Sequence, residues 1–227
     1  MSNFYASLLF LSSLASHSPL LFAFFFGAAT FLVVRGSLPP TAVVGPVGPR
    51  RVLCVLGSGG HTTEMLALLR ALPSSRFAPR SFITASTDAT SVARGEAAGA
   101  LAPGGRARVL RIPRAREVGQ GALGAAWGTL AGFVASMGVV LGEQPRLLLV
   151  NGPGTCLPVC AAAVLLRAVG LLPGDAVVVF VESACRVTSL SLSGRLALRA
   201  GLADVVAVQW AQLAGAHPGT VHVGLQV

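Results

Sequence analysis

The 227-residue sequence predicts an α/β domain with a parallel sheet, joined to one N-terminal transmembrane helix. From Arg51 onward, short runs rich in Val, Leu and Ile alternate with longer helical stretches. Two of these runs lead directly into glycine turns, and a nearly uncharged segment precedes them all. Alternating strands and helices are typical of a parallel sheet with helices on both faces. We therefore predict a single Rossmann-like domain over residues 51–227.

The N-terminal segment is apolar and long enough to cross a membrane. Between Phe4 and Val34 there is no Asp, Glu, Lys or Arg. The run from Leu20 to Val34, extended back to Ser16, provides roughly the 20 residues that a spanning helix needs. We assign residues 1–35 to a transmembrane anchor, with the span at about 16–34. A cleaved signal peptide is the alternative, but no basic residue precedes the run and no clean small-x-small site follows it.

Basic residues follow the anchor and none precedes it. Because Arg35, Arg50 and Arg51 follow the apolar run, the positive-inside rule places the rest of the chain in the cytosol. Residues 36–50, GSLPPTAVVGPVGPR, are rich in Pro and Gly and are predicted to form a linker.

The formal net charge of +9 comes from arginine alone, since the chain contains no lysine. A basic domain beside a membrane favours anionic headgroups or phosphorylated ligands. The arginines are dispersed and no recognition module is visible, so no nucleic-acid partner is expected. Cys54, Cys156, Cys160 and Cys185 lie in apolar surroundings without a matching ligand pair, which predicts buried free thiols and no metal site.

Apolar runs and helical patterns define the elements of the predicted domain. The strand candidates are Arg51–Leu56, Arg80–Ala85, Ala107–Ile112, Arg146–Val150, Ala176–Val181 and Asp204–Val208. The helix candidates are Thr62–Leu72, Asp88–Gly99, Gly121–Leu141, Thr155–Val169 and Leu190–Leu202. Right-handed crossovers then place the strand-to-helix loops on one edge of the sheet. The third of these helices is apolar nearly all round, but its stretch Trp127–Leu141 is short for a second span and strand-like sequence follows at once. This favours core or membrane-surface packing.

The first strand candidate leads into a glycine turn and then into a helix. The residues of this turn and of the helix start are Gly57, Ser58, Gly59, Gly60, His61 and Thr62. Backbone N–H groups and the positive helix end make such a turn a phosphate site. A dinucleotide fingerprint would need glycine at Thr62, and no Lys-Ser/Thr pair completes a Walker loop. His61 is either a catalytic group or a bystander that merely caps the helix.

A second glycine turn, NGPGTC, follows the fourth strand candidate and contributes Asn151, Gly152, Gly154 and Thr155. Two such turns on one sheet edge form a crevice lined with N–H donors, which suits a diphosphate. The alternative is that Gly-Pro-Gly is only a tight turn.

Two further loops carry polar residues. Arg114, Glu117 and Gln120 follow the third strand candidate, and the arginine can contact a phosphate. A solvated charged loop explains this pattern equally well. Glu182 ends the fifth strand candidate, where it is a base, a ligand for a sugar hydroxyl, or the cap of the next helix.

The stretches VLGSGGHTTEML, RAREVGQ, NGPGTC and LSLSGRL...LADVVAVQW occur in this order from Arg51 to the C-terminus. In this combination the chain resembles the membrane-anchoring subunit of the two-subunit UDP-N-acetylglucosamine transferase of the dolichol pathway. That family resembles the N-terminal half of a GT-B glycosyltransferase, the half that holds the lipid diphosphate acceptor. About 175 residues after the linker suffice for one such domain and not for two.

The resemblance implies a subunit that is inactive alone, needs no cofactor, and adds the second N-acetylglucosamine from UDP-GlcNAc to dolichyl-diphosphate-GlcNAc. A soluble catalytic subunit would carry the UDP-GlcNAc site, and the complex would lie on the cytosolic face of the endoplasmic reticulum membrane. Both glycine turns, Arg114, Glu117 and Gln120 would bind the diphosphate, with His61 as base and Glu182 as the competing base. The partner would meet the C-terminal end, which consists of Gly224, Leu225, Gln226 and Val227.

Some positions depart from the family pattern. Thr63 stands where alanine is common, and Ala211 replaces a usual proline. Gln226 interrupts an aliphatic end, so partner affinity is the property most affected. Two alternatives stay open from sequence: a membrane-tethered nucleotide-dependent oxidoreductase with Asp88 as ribose ligand, and a membrane adaptor without a site.

Overall fold

A computed structural model describes residues 49–99, 108–114, 122–152 and 154–224, together with Gly27. The predicted anchor apart from Gly27, most of the linker, Glu117, Gln120 and the last three residues lie outside the described residues. The strands are β1 (Val52–Leu56), β2 (Arg80–Ala85), β3 (Arg108–Ile112), β4 (Leu147–Asn151), β5 (Val177–Val181), β6 (Val205–Val208) and β7 (Thr220–His222). The helices of the described domain are α1 (Gly60–Ala71), α2 (Ala89–Gly99), α3 (Ala122–Glu143), α4 (Cys156–Ala168), α5 (Leu192–Arg199) and α6 (Ala211–Ala216).

The strands form one parallel sheet with the order β3-β2-β1-β4-β5-β6-β7. Neighbouring strands are parallel throughout, with Val52 opposite Arg80 in β2 and opposite Leu147 in β4. The predicted parallel α/β fold is confirmed, and the six predicted strands occur with bounds within one residue of those expected. Two elements were not predicted, namely the short helix α6 and the three-residue strand β7.

The central strands are apolar along their whole length because both of their faces are covered. Every residue of β1 and of β4 is buried. Leu53 and Val55 of β1 belong to the hydrophobic core beneath α4, whereas Val52 and Cys54 belong to the core beneath α1. Successive side chains of a strand point to opposite faces, so this alternation produces two cores on the two sides of one sheet.

The long helix α3 crosses the sheet between β3 and β4 and packs along α4. Val140 of α3 is fully buried in the core that α4 also lines. Within the described part of the chain, its segment Gly124–Glu143 is the one helix long and apolar enough to cross a membrane by length and composition. Because one side of α3 lies in the core, the prediction of core or membrane-surface packing agrees with its position in the fold.

Candidate functional site

The carboxyl ends of three adjacent central strands place the candidate residues together. Strand β1 leads into the first glycine turn, β4 ends at Asn151, and Glu182 directly follows β5. From β1, the strands β2 and β3 extend the sheet to one side, and the strands β4 and β5 extend it to the other. The order of the strands therefore reverses between β1 and β4. Ligands of open α/β sheets bind outside the carboxyl ends of the strands at such a reversal of order.

Buried hydroxyl groups hold the first glycine turn on its inner side, and its outer side is open. The side chain of Thr62 is buried and donates a hydrogen bond to the carbonyl of Gly57. The hydroxyl oxygens of Thr62 and Ser91 lie 2.8 Å apart, and the Ser91 hydroxyl oxygen lies 3.1 Å from the same carbonyl. Gly59 has φ +67°, and a Cβ added there would meet nothing within 4 Å. Thr62 therefore shapes the turn, while the turn itself faces open space.

Asp88 has a structural partner. Its carboxylate accepts hydrogen bonds from the Ser91 backbone N–H at 2.9 Å and from the Ser91 hydroxyl at 2.8 Å. An aspartate that accepts from the third residue along is the usual N-cap of a helix. Asp88 thus begins α2, and the geometry gives no support to a ribose ligand at this position.

The two glycine turns meet at His61. Gly152 has φ +78°, a conformation that favours glycine. A Cβ at Gly152 would lie 2.3 Å from Cε1 and 2.4 Å from Nδ1 of His61, so the imidazole packs directly against the Gly152 backbone. The His61 side chain is 35% exposed, and its Nδ1 atom is buried without a hydrogen bond. The imidazole is therefore wedged between the turns with part of the ring open to the crevice.

Glu64 is a site residue that the sequence prediction missed. Its Oε1 atom accepts hydrogen bonds from the Ser183 hydroxyl at 2.7 Å and from the Ala184 N–H at 3.1 Å. Its Oε2 atom accepts from the Asn151 amide at 3.3 Å and lies 3.5 Å from Nδ1 of His61. Residues three apart on a helix lie on one face, so the spacing from His61 to Glu64 was the available signal. This carboxylate links α1 to the ends of β4 and β5.

Glu182 contacts a different helix, and Arg114 follows a more distant strand. Glu182 is 1% exposed and accepts hydrogen bonds from the backbone N–H groups of Ser191 at 2.8 Å and Ser183 at 3.2 Å. A Cβ at Gly194 would lie 2.3 Å from its Oε2 atom, so the carboxylate is packed against the start of α5. This geometry matches the capping alternative. Arg114 follows β3, which lies two strands from β1.

A second arginine lies nearer the first turn. The guanidinium of Arg94 in α2 donates to the Gly59 carbonyl and to the Thr63 hydroxyl, each at 3.3 Å, and its side chain is exposed. Nothing in the local sequence of α2 marked this arginine, because its contact depends on the packing of α2 beside α1.

The cysteines correct one prediction. Burial raises the pKa of the Cys54 and Cys156 thiols to about 12, and it also raises the pKa of Cys160. Cys185 is exposed, contrary to the prediction that all four thiols are buried, because it lies in the loop after β5 rather than in an element. Among the described residues, no group of three or more His, Cys, Asp or Glu side chains is placed to hold a metal ion.

Comparison with known proteins gives a consistent result. A model of the family described as oligosaccharide biosynthesis protein Alg14 like matches residues 52–226. The chain is 39% identical over 195 residues to the UDP-N-acetylglucosamine transferase subunit ALG14 of Mus musculus, covering 80% of this chain and 88% of that protein. It is 36% identical over 204 residues to the Homo sapiens subunit of the same name, covering 86% and 92%.

A solved structure shares the fold. MurG of Acinetobacter baumannii superposes with a TM-score of 0.56 at 17% sequence identity, covering 78% of this chain and 45% of that chain. This chain therefore spans about half the length of that protein. At such identity the likeness concerns the fold alone, and it confirms the predicted GT-B half domain.

Replacing Gly152 with alanine should displace the His61 imidazole. The new Cβ would overlap Cε1 at 2.3 Å, and the positive φ adds strain of about 1–3 kcal/mol. We expect the imidazole NMR signals of His61 to shift and the free energy of unfolding to fall by that amount. Gly154→Ala is the matched control, since a Cβ there meets nothing within 4 Å. Unchanged His61 signals in Gly152→Ala would contradict the packing described.

Proposed function

The chain belongs to the Alg14-like family of oligosaccharide biosynthesis proteins, and on that premise we propose that it anchors a glycosyltransferase complex and binds its acceptor. The complex adds the second N-acetylglucosamine from UDP-GlcNAc to dolichyl-diphosphate-GlcNAc. The protein is held by its N-terminal anchor at the endoplasmic reticulum membrane, with its domain on the cytosolic face. A soluble catalytic subunit with the UDP-GlcNAc site completes the enzyme.

The observation that carries this proposal is the contact between His61 and Gly152. It joins two glycine turns into one crevice at the reversal of strand order, where a ligand with two phosphates can meet both turns. The family match and the relatives' printed names favour a transferase subunit over the oxidoreductase alternative. An adaptor without a site would not need an imidazole buried on one side between two glycine turns.

In the proposed complex, the backbone N–H groups of both turns hold the acceptor diphosphate. Gly57 to Gly60 and Thr62 form the first turn, and Asn151, Gly152, Gly154 and Thr155 form the second. Arg94 already contacts the first turn, and Arg114 with Glu117 and Gln120 supplies the third loop. Charge-assisted contacts of this kind are roughly twice as strong as neutral hydrogen bonds.

His61 is the proposed base. The acceptor sugar hydroxyl attacks the anomeric carbon of UDP-GlcNAc, its proton passes to Nε2 of His61, and the bond to the departing UDP breaks. For this step Nε2 must carry the free lone pair, so Nδ1 must carry the proton. The Glu64 carboxylate, 3.5 Å from Nδ1, favours that tautomer. Glu64 is therefore a positioning residue that acts through His61.

Replacing His61 with alanine should lower kcat of the reconstituted complex by about 10²–10⁴, the usual contribution of a general base. Steady-state kinetics with the catalytic subunit and a dolichyl-diphosphate-GlcNAc acceptor measure this effect. Glu182→Ala is the comparison, and we expect a smaller loss of kcat because Glu182 is buried against α5. Near-normal kcat in His61→Ala, with assembly unchanged, would assign the base to Glu182 or to the partner.

Replacing Glu64 with glutamine should lower kcat while leaving the acceptor KM within about twofold, because it alters the base rather than the phosphate contacts. The NH₂ group of the glutamine must take the place of one of the two carboxylate oxygens. That oxygen is either the one that accepts from Asn151 or the one that accepts from Ser183 and Ala184. Facing His61, this NH₂ would stabilise the tautomer with the proton on Nε2. Nitrogen-15 NMR of the imidazole distinguishes the tautomers. A native chain with its proton on Nε2 would contradict this role of Glu64.

The partner would meet the C-terminal end. Strand β7 is the last strand of the sheet, and its Val221 side chain is 49% exposed. Gly224 follows with φ +74°, and the proposed contact continues through the last three residues. An edge strand with exposed apolar residues can pair with a strand of a second protein.

Deleting residues 225–227 should weaken assembly with the catalytic subunit while leaving the sheet intact. These residues follow β7, so the paired strand remains in the shortened chain. Co-purification from detergent extracts measures assembly, and thermal unfolding checks the fold. Deleting residues 220–227 removes β7 as well and should abolish assembly. Full recovery of the partner with the shorter deletion would move the contact away from the C-terminal end.

A further inference from the structure

Asn151, the last residue of β4, turns its side chain into the domain. The residue is 1% exposed, and the Oδ1 atom of its amide is buried. The sequence alone suggested that Asn151 binds the diphosphate, because it opens the second glycine turn. An amide buried to this extent does not present its polar atoms to a ligand in the crevice. Its hydrogen bonds within the protein therefore decide its role.

The NH₂ group of Asn151 donates two hydrogen bonds to the first turn of α1. One goes to the His61 carbonyl at 2.9 Å, and the other goes to Oε2 of Glu64 at 3.3 Å. Both partners are acceptors, so the NH₂ group and not Oδ1 must face them. Within the described part of the chain, Oδ1 has no hydrogen-bond partner. The amide is therefore fixed by its donors alone.

The Oε2 atom of Glu64 is shared between Asn151 and the imidazole of His61. It accepts from Asn151 and lies 3.5 Å from Nδ1 of His61. The other oxygen, Oε1, is held by the Ser183 hydroxyl and the Ala184 N–H. The last torsion of a glutamate is soft, so its carboxylate keeps one orientation only where both oxygens are bound. Asn151 thus fixes the oxygen that faces His61.

Two consecutive residues at the end of β4 hold His61 at both its backbone and its ring. Asn151 donates to the His61 carbonyl, and the backbone of Gly152 packs against the imidazole. Strand β4 lies beside β1, whose turn leads to His61, so the sheet fixes both groups relative to each other. The position of the imidazole therefore depends on the Asn151 side chain as well as on the space at Gly152.

We propose that Asn151 is a positioning residue, which acts through Glu64 and His61 and whose side chain does not contact the diphosphate. This inference rests on the proposed function, in which Nε2 of His61 takes the proton of the acceptor hydroxyl. With the Asn151 amide in place, Oε2 of Glu64 stays beside Nδ1 and favours the proton there, so Nε2 keeps its lone pair. Without the amide, Oε2 turns away from the imidazole and both tautomers are populated.

Nitrogen-15 NMR of the imidazole tests this contact independently of enzyme activity. The full chain is studied in detergent micelles without substrate or partner. It has four histidines, and comparison with His61→Ala assigns the signals of His61. We expect Asn151→Ala to change a population with the proton mainly on Nδ1 into a mixture of the two tautomers. A residue that only contacts the diphosphate would not alter the imidazole when no substrate is bound.

Gln209→Ala is the matched control, since Gln209 is also a buried carboxamide that follows a strand, at 3% exposure, and donates to the Glu182 carbonyl at 3.1 Å. It should leave the tautomers of His61 unchanged. Thermal unfolding shows whether each variant folds. If Asn151→Ala does not fold, Asn151→Ser decides, because a serine hydroxyl is too short to reach both acceptors and should give the same mixture. A native tautomer ratio in the folded variant would overturn the proposal.

Kinetics of the reconstituted complex separate positioning from ligand contact. Asn151→Ala should lower kcat about tenfold, the effect of losing one hydrogen bond to a charged group. The acceptor KM should stay within about twofold of the native value, because the phosphate contacts remain. Gln209→Ala should keep both constants near their native values. A large rise in the acceptor KM with unchanged kcat would overturn the proposal, since it would place the Asn151 amide on the diphosphate.

A double-mutant cycle shows whether Asn151 acts through Glu64. In the Glu64→Ala background, Asn151→Ala should lower kcat by no more than about threefold, because only its bond to the His61 carbonyl is left to lose. The same loss of kcat in both backgrounds would overturn the proposal. Absence of transfer by the native complex would instead refute the proposed function, and the tautomer measurement would still decide whether Asn151 positions the imidazole.

Discussion

One carboxylate holds three separate parts of the chain in place. Glu64 accepts hydrogen bonds from the loop after β5 and from the end of β4, and it approaches the imidazole one turn earlier on its own helix. The Ser183 hydroxyl, the Ala184 N–H and the Asn151 amide are all donors, and the two carboxylate oxygens of Glu64 accept from all three. At 12% exposure, the Glu64 carboxylate is shielded from water, which strengthens these contacts. The Glu64 carboxylate on α1 therefore sets the shape of the crevice.

The close approach of His61 to Gly152 follows from the sheet. Strands β1 and β4 are neighbours, with Val55 opposite Val150, so the turns after them must share a narrow space. A side chain at position 152 would fill the place of the imidazole, and the backbone there adopts a conformation suited to glycine. Strand pairing, glycine and histidine therefore form one unit, and a change in any of them affects the other two.

Local sequence patterns predicted most of the fold, but they did not predict contacts between residues that are far apart in the sequence. Runs rich in Val, Leu and Ile predicted the six longer strands, and helical patterns predicted the longer helices between them. The two glycine turns marked the sheet edge that carries the candidate site. Strand β7 has three residues with little apolar character, and it exists because β6 offers it an edge. The spacing of Glu64 from His61 was readable in the sequence, but the other partners of Glu64 and those of Arg94 lie 31 to 120 residues away and depend on packing. Burial also distinguishes the two candidate bases, because Glu182 is buried whereas part of the His61 ring is exposed. The sequence alone could not make this distinction.

The outer edge of β7 has a consequence for the protein made without its partner. This edge ends the described sheet, and Val221 and Val223 are 49% and 39% exposed beside it. Free strand edges with apolar side chains pair readily with other chains and promote aggregation. With the catalytic subunit at this edge, as proposed, chains made in excess of that subunit would leave the edge uncovered, so their aggregation and turnover should depend on its supply.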